Sequence, residues 1–532
     1  MILSSVRTGL LAASLLLAAG LGAPARAEAP PMAFRQALAE AVAGDEAAAF
    51  YRERGFAPLW TAPGAAGEAR MAALLAALEG AHEHGLPPAR WDGAALRERL
   101  AAARTAGDFG AAEAEVTRAF LDYATALSSG LLDPNAIAPA MLREPPRPDR
   151  AALLRGMERG DPAAALRALA PKDAEYGRLL RHRARLERVV ASGGWGPEVA
   201  ARILRPGDRG PEVVRLRERL RAMGHGGASL SPLYDEPLTA AVVAFQERAG
   251  LAPDGVAGPR TLGALNRPAS ARLGEVLVAM ERERWTNVER GRRHVWVNLA
   301  DFSAAIVDDG RVTFRTRAVI GKDEAGRETP EFSDLMDHMV VNPTWFVPRS
   351  IAVGEYLPKL RANPWAASHL AITDAQGRPV DRSRGFSRYT ARSFPFAMRQ
   401  PPGPDNALGT VKFMFPNPHN IYLHDTPQKH LFEGDRRAHS HGCVRLAEPA
   451  AFAHALLARQ VDDPAAYFDR LLRGGAETRV NLDEPVPVHL DYRTAFTDAA
   501  GALHHREDVY GRDARVLEAL IGAGVTLPGP QS

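Results

Sequence analysis

The hydrophobic period of this chain changes partway along its length, and that change limits the fold more than any other feature. Up to residue 268 the apolar residues recur at helical spacing, as in Met71–Glu79 and Thr117–Leu127. From His294 onward alternation replaces that spacing. Val295, Val297 and Leu299 share one face, Asp309-Gly310 marks a hairpin turn, and Val312 with Phe314 resumes on the partner strand. The expected architecture is therefore multidomain α+β, helical first and β-rich after. At about 150 residues per domain, 532 residues suggest three or four domains, each with material for a full core.

Residues 32–204 read as a helical scaffold domain, punctuated by loops such as Gly85-Leu86-Pro87-Pro88 and Pro145-Pro146-Arg147-Pro148. No acid–base constellation stands out there. The texture changes at Arg205–Gly210, and residues 205–268 form a compact helical unit. Its expected core is Val213, Leu216 and Leu220 on one helix, Val242 and Phe245 on a second, and Thr261, Leu262 and Leu265 on a third. A β-rich domain is expected over 290–475, with an insertion at about 350–408 holding a helix candidate at Ile351–Leu360. That insertion reads equally as a lid or as a surface excursion. Residues 480–532 form a C-terminal segment.

The first 27 residues have the three-part layout of a secretory signal: Arg7, an apolar run from Gly9 to Leu21, and Ala25-Arg26-Ala27 before the expected cleavage point. The apolar run is too short to span a bilayer, and no later stretch approaches the roughly 18 uncharged residues that spanning requires. Removing Arg7 and Arg26 from the formal charge of +3 leaves about +1, so bulk charge gives no support to nucleic-acid binding.

Cys443 is the one cysteine of the chain and lies in Ser440-His441-Gly442-Cys443-Val444-Arg445, nineteen positions after His424. A lone cysteine is often a small buried hydrophobe. In an exported chain, however, an unpaired thiol is exposed to oxidation, and its presence suggests a use. A thiol beside glycine, a hydroxyl and two imidazoles has the parts of a nucleophile with a base and an oxyanion site. At an ordinary thiol pKa of about 8.5 little thiolate exists at neutral pH, so an imidazole that takes the proton matters. The competing reading is zinc, because five histidines fall between His419 and His441 and His439, His441 and Cys443 are plausible ligands.

Two stretches resemble known families. Residues 205–268 resemble the three-helix peptidoglycan-binding domain in their Gly-Asp-x-Gly opening, in Ala244-Phe245-Gln246 and in Asp254-Gly255-x-x-Gly258. His294 to about Arg473 is similar to the L,D-transpeptidase (YkuD) catalytic domain, with its motif present as His424 and Ser440–Arg445. The whole layout resembles the large Gram-negative periplasmic members of that family. The resemblance implies a cysteine acyltransferase that acts on peptidoglycan stem peptides as donor and acceptor and forms 3→3 cross-links. It further implies anchoring to the sacculus through residues 205–268, and a C-terminal segment, 480–532, that packs near the catalytic and scaffold domains. It implies Cys443 as nucleophile and His424 as base, with Ser440 and His441 in support and Gly442 and Cys443 amides at the oxyanion. Arg445, Tyr422 and Trp345 are the candidate substrate contacts. No cofactor and no metal are implied, and carbapenem acylation of Cys443 is expected. An L,D-carboxypeptidase or cross-link hydrolase on the same fold, and a non-catalytic wall-binding protein, remain as alternatives.

Overall fold

The computed structural model describes residues 29–528. The expected leader lies outside the described residues. Helices run from Met32–Ala41 to Ala174–Ala191 with local reasons for their ends. The longest, Ala106–Ser129, starts on a capping box between Thr105 and Asp108 and stops at Gly130, whose φ is +106°. It buries Val116, Phe120, Tyr123, Leu127 and their neighbours, a stripe at helical spacing, against the other scaffold helices.

The next unit has three helices, Pro211–Ala222, Glu236–Ala249 and Pro259–Leu265, around a core that holds Val213, Leu216, Leu220, Val242, Phe245, Leu262 and Leu265. Gln246 explains two of its motifs together. Its amide nitrogen donates to Asp254 Oδ1 at 2.8 Å and to the Val256 carbonyl at 3.0 Å, while its oxygen accepts from the Gly255 amide at 2.9 Å. The glutamine therefore clamps the Asp-Gly turn onto the second helix.

Helix Ala269–Trp285, which the sequence reading leaves between domains, is the hub of the molecule. It buries residues over nearly its whole length and packs against helix Ala174–Ala191 and the C-terminal helix Arg512–Gly522. Four consecutive charged residues on it are all buried: Glu281, Arg282, Glu283 and Arg284. Glu281 accepts from the Leu131 and Leu132 amides of the scaffold at 2.6 and 2.8 Å. Arg282 donates to Glu331 and to Asp513, each at 2.7 Å, and Glu283 pairs with Arg493 at 2.5 Å. Arg284 reaches the His84 carbonyl and the Tyr176 hydroxyl.

Beyond the hub, nine strands make one sheet whose pairings return on themselves, because Ser303–Asp308 pairs both with Arg293–Asn298 and with Arg311–Gly321. The hairpin between Asp308 and Arg311 turns at Asp309 and Gly310, both with positive φ, +48° and +77°, the pattern of a two-residue turn suited to strand twist. The ring encloses a continuous apolar core of Val295, Val297, Ile306, Met339, Phe413, Val444 and others.

Two boundaries differ from the sequence reading. The longest strand, Thr478–Asp491, lies beyond residue 475 yet sits inside the ring, antiparallel to Phe332–Val341 and parallel to Arg293–Asn298. Its run of prolines and acids, Asp483-Glu484-Pro485, falls at a register break between Asn481 and Val486, which hides the strand's period. The insertion begins at Trp345, not near 350, since Trp345–Phe346 already pairs with Ala397–Gln400 in a separate three-stranded sheet with its own small core. The helix expected at Ile351–Leu360 is Arg349–Ala362 with a π segment at Ala352–Tyr356. Pro358 accounts for the widened turn, because proline lacks the N–H that a regular helix would pair with residue 354.

Candidate active site

His424 and Cys443 are brought together by strand pairing. Strand Leu423–His424 runs parallel to Val444–Leu446, with Leu423 opposite Val444 and His424 opposite Arg445, and antiparallel to Val411–Met414, with His424 opposite Lys412. Cys443 immediately precedes its strand, and the Val444 amide donates to the Tyr422 carbonyl at 3.1 Å. With side chains alternating between faces, Tyr422, His424, Cys443 and Arg445 point the same way. All four line one cavity of about 790 Å³, together with Ser440, His441 and Trp345.

The loop before His424 is shaped by Asn417. Its side chain donates to the Phe415 and Ile421 carbonyls at 2.6 and 2.8 Å and accepts from the His419 amide at 3.0 Å. This leaves Asn420 with φ +55° and its carbonyl facing the nucleophile, where it accepts from the Cys443 thiol at 3.5 Å. Among the described residues no hydrogen bond joins Cys443 directly to His424 in this resting arrangement. The thiol is half-buried, and desolvation pushes it up to about 11, more than the nearby Tyr422 groups and the Arg445 cation pull it down.

His424 is buried, and desolvation lowers its imidazole to about 3, with the Arg445 charge adding to the effect. Its Nδ1 lies against the Asp425 carbonyl, which can only accept. The proton is therefore on Nδ1, and Nε2 carries a free lone pair. The Asp425 carboxylate is fully engaged elsewhere, by the Thr410 amide and hydroxyl at 2.8 Å each and by Lys429 at 2.6 Å.

Gly442 adopts φ +111°, and a Cβ there would meet Ile421 Cδ1 at 3.2 Å. Its carbonyl accepts from Thr329 Oγ1 at 2.7 Å, and that hydroxyl oxygen accepts from the Gly321 amide at 2.9 Å. Tyr510 of the C-terminal segment donates to the Gly321 carbonyl at 2.6 Å, and Arg512 holds Thr329 through its carbonyl at 2.8 Å. Among the described residues the Gly442 and Cys443 amides donate to no protein acceptor, so both are free for a developing negative charge.

The remaining residues singled out from sequence are placed as follows. Ser440 is buried on the strand Ala438–Ser440, its carbonyl accepts from the Lys322 amide at 2.9 Å, and no hydrogen bond links its hydroxyl to either histidine among the described residues. His441 Nε2 meets Glu355 Oε1 of the insertion at 2.5 Å, and Arg327 donates to the same oxygen at 2.9 Å. Partial burial would raise the Glu355 carboxyl, but His441 and Arg327 hold it below the usual range. Arg445 donates to Gln428 at 2.7 Å. The Tyr422 and His424 rings lie 5.6 Å apart, and burial raises the Tyr422 phenol well above 10. Trp345 packs on Tyr356 within the insertion. Of the other histidines, His419 lines the same cavity with its ring beside Phe332, while His439 rests on the Arg436 carbonyl away from it. Among the described residues no group of three or more His, Cys, Asp or Glu side chains converges.

Sequence reasoning missed Lys412, Asn420, Glu355, Arg327 and Thr329. Only Lys412 carried a local signal, as a lysine alternating with the apolar Val411 and Phe413. The others come to the site through tertiary packing.

Three family models match the chain: a scaffold domain over 45–182, the "Putative peptidoglycan binding domain" over 209–265, and the L,D-transpeptidase catalytic domain (YkuD) over 292–486. A curated relative from Haemophilus influenzae, named "Putative L,D-transpeptidase", is 31% identical over 246 residues. That alignment covers 46% of this chain and 49% of the relative. Two solved structures of L,D-transpeptidases also align. The one from Xylanimonas cellulosilytica does so over 56% of this chain and 100% of its own at 18% identity and TM-score 0.16. The one from Stackebrandtia nassauensis does so over 56% and 98% at 15% identity and TM-score 0.22. At such scores these two likenesses add nothing to the argument. Matched over 292–486, the closed sheet that carries Cys443 and His424 belongs to the YkuD family of L,D-transpeptidase catalytic domains, joined in this chain to a peptidoglycan-binding domain.

Proposed function

We propose that this chain is a periplasmic peptidoglycan L,D-transpeptidase that makes 3→3 cross-links through a thioester on Cys443. The donor is a tetrapeptide stem. Cys443 sulfur attacks the carbonyl of its third residue, His424 Nε2 takes the thiol proton, and the Gly442 and Cys443 amides donate to the oxyanion. As the C–N bond breaks, His424 passes that proton to the nitrogen of the departing D-alanine. The side-chain amine of a second stem then attacks the thioester, an amide forms, and the thiol is restored.

With the thiol at about 11 and the imidazole at about 3, the proton stays on sulfur in the resting pocket. Proton transfer therefore belongs to the loaded site, where attack on the carbonyl and loss of the proton proceed together. Ser440 and His441 act as support, the latter through Glu355. Tyr422, Trp345 and Arg445 offer an aromatic and cationic lining for the stem. Residues 205–268 would hold the enzyme to the sacculus, and the signal-like first 27 residues fit export. Strained β-lactam carbonyls of the carbapenem kind should acylate the same sulfur.

The observation that most supports this reading is Cys443 beside two unused amides, on one sheet face with a neutral His424 whose Nε2 is free. Muropeptide analysis of sacculi incubated with the protein tests it. New 3→3 dimers that vanish with Cys443→Ala are expected. Loss of existing dimers would instead identify a hydrolase, and no change a wall-binding protein.

A further inference from the structure

The strand register places a second cation beside the catalytic imidazole. Lys412 and Arg445 are the two cross-strand partners of His424, one on each side, so the three side chains form a row on one face of the sheet. Directly opposed residues stand about 5 Å apart at Cβ. All three line the same cavity.

The two cations differ in what holds them. Arg445 already donates to Gln428 at 2.7 Å. Lys412 is half-buried, and among the described residues its ammonium donates to no acceptor and forms no ion pair. The carboxylate that acts on it most, Glu477, accepts from the Thr344 amide at 3.2 Å. The ammonium is part-desolvated yet open to the cavity, so an anion that enters there can pair with it.

We infer that Lys412 is a specificity-determining residue that receives the free α-carboxylate of the residue released from the donor stem. This rests on the acyl-transfer reading above. When the S–C bond forms and the C–N bond breaks, His424 hands its proton to the leaving nitrogen. In an α-amino acid the carboxylate carbon is two bonds from that nitrogen. A group that reads the carboxylate must therefore stand next to the imidazole, and Lys412 does. A stem extended by one more residue presents an amide there and leaves the ammonium unpaired. The pairing has a second effect. Lys412 is one of the charges that hold His424 in its neutral form, and a bound carboxylate offsets it, so the base strengthens when the correct donor is present.

The test compares release of D-alanine from a tetrapeptide stem ending in a free acid with release of D-alaninamide from the same stem capped as its primary amide. Both are measured in the full-length protein with an acceptor stem present. The ratio of the two kcat/KM values is the readout, because a general change in His424 basicity moves both substrates and cancels. Wild type should prefer the acid, and Lys412→Met should shrink the ratio by roughly 10- to 100-fold, with Lys412→Arg recovering much of it. A Lys412→Met protein that keeps the wild-type ratio overturns the assignment, as does a wild-type ratio near one even if the variant does not fold. Turnover of neither donor by wild type removes the acyl-transfer reading itself.

Discussion

His424 is neutral for reasons visible one contact at a time: burial, the Arg445 cation, and a carbonyl that fixes the proton on Nδ1. A glutamine in its place keeps a polar group and loses the base. His424→Gln should lower kcat at least about 100-fold, the usual size of a general-base contribution, with KM for the donor little changed. Steady-state kinetics on stem peptides measures both. Gly442 is constrained twice, by its φ of +111° and by Ile421 Cδ1. Gly442→Ala should destabilise the fold by about 1–2 kcal/mol and shift the amides that flank Cys443. Denaturant unfolding together with the acylation rate of Cys443 tests that pair of effects. The Ser-His-Gly-Cys run stood out from sequence as a candidate site because it sets a thiol, an imidazole and a glycine close together. Glu355 left no local signal, and the alternation of Lys412 with Val411 and Phe413 did not say which residue it faces.

Among the elements, the insertion and the C-terminal segment both reach the site through the loop 327–329. The π segment Ala352–Tyr356 carries Glu355 onto His441, next in line to Gly442 and Cys443. Glu355→Ala removes the contacts to both His441 and Arg327. It should speed amide hydrogen exchange over residues 349–362 by about 10-fold while leaving the helix Pro449–Leu457 unchanged. Equal rates in both proteins would show that this contact does not hold the insertion. From the C-terminal segment, Tyr510 and Arg512 brace Gly321 and Thr329, which in turn fix the Gly442 carbonyl. The hairpin at Asp309-Gly310 was readable because both residues tolerate positive φ. The strand Thr478–Asp491 was not, because a register break interrupts its alternation.

Across the whole molecule, stability is tied to charges that sequence would put on the surface. Arg282 joins the hub helix to Glu331 of the catalytic domain and Asp513 of the C-terminal helix, and all three are buried. Arg282→Ala would leave Asp513 buried with no cation, held only by the Thr494 hydroxyl, and Glu331 with Arg512 alone, at a cost of about 3–5 kcal/mol that chemical denaturation measures. Histidines taken out of water in each module add a pH dependence. His84 of the scaffold and His225 of the three-helix unit are lowered by burial to about 4, and His424 to about 3, from 6.5. Between these values and 6.5 the unfolded chain binds protons that the native one does not. Their contribution is therefore fully present above pH 6.5 and lost as pH falls toward 4. Tm should drop over that interval, and the drop should be shallower in His225→Gln, as calorimetry across the range would reveal.

By itself the sequence determined the order of the modules, the helical and β periods, the turns that glycine and aspartate permit, and the local run around Cys443. These depend on the spacing of side chains along one strand or helix, which can be read directly. Only the tertiary structure decided that a helix with four charges in a row is the buried hub, that a strand beyond residue 475 closes the sheet, and that His424 stands between Lys412 and Arg445. The physical reason is the same in each case: burial, charge pairing and register depend on residues far apart along the chain, and no local pattern records which of them will meet.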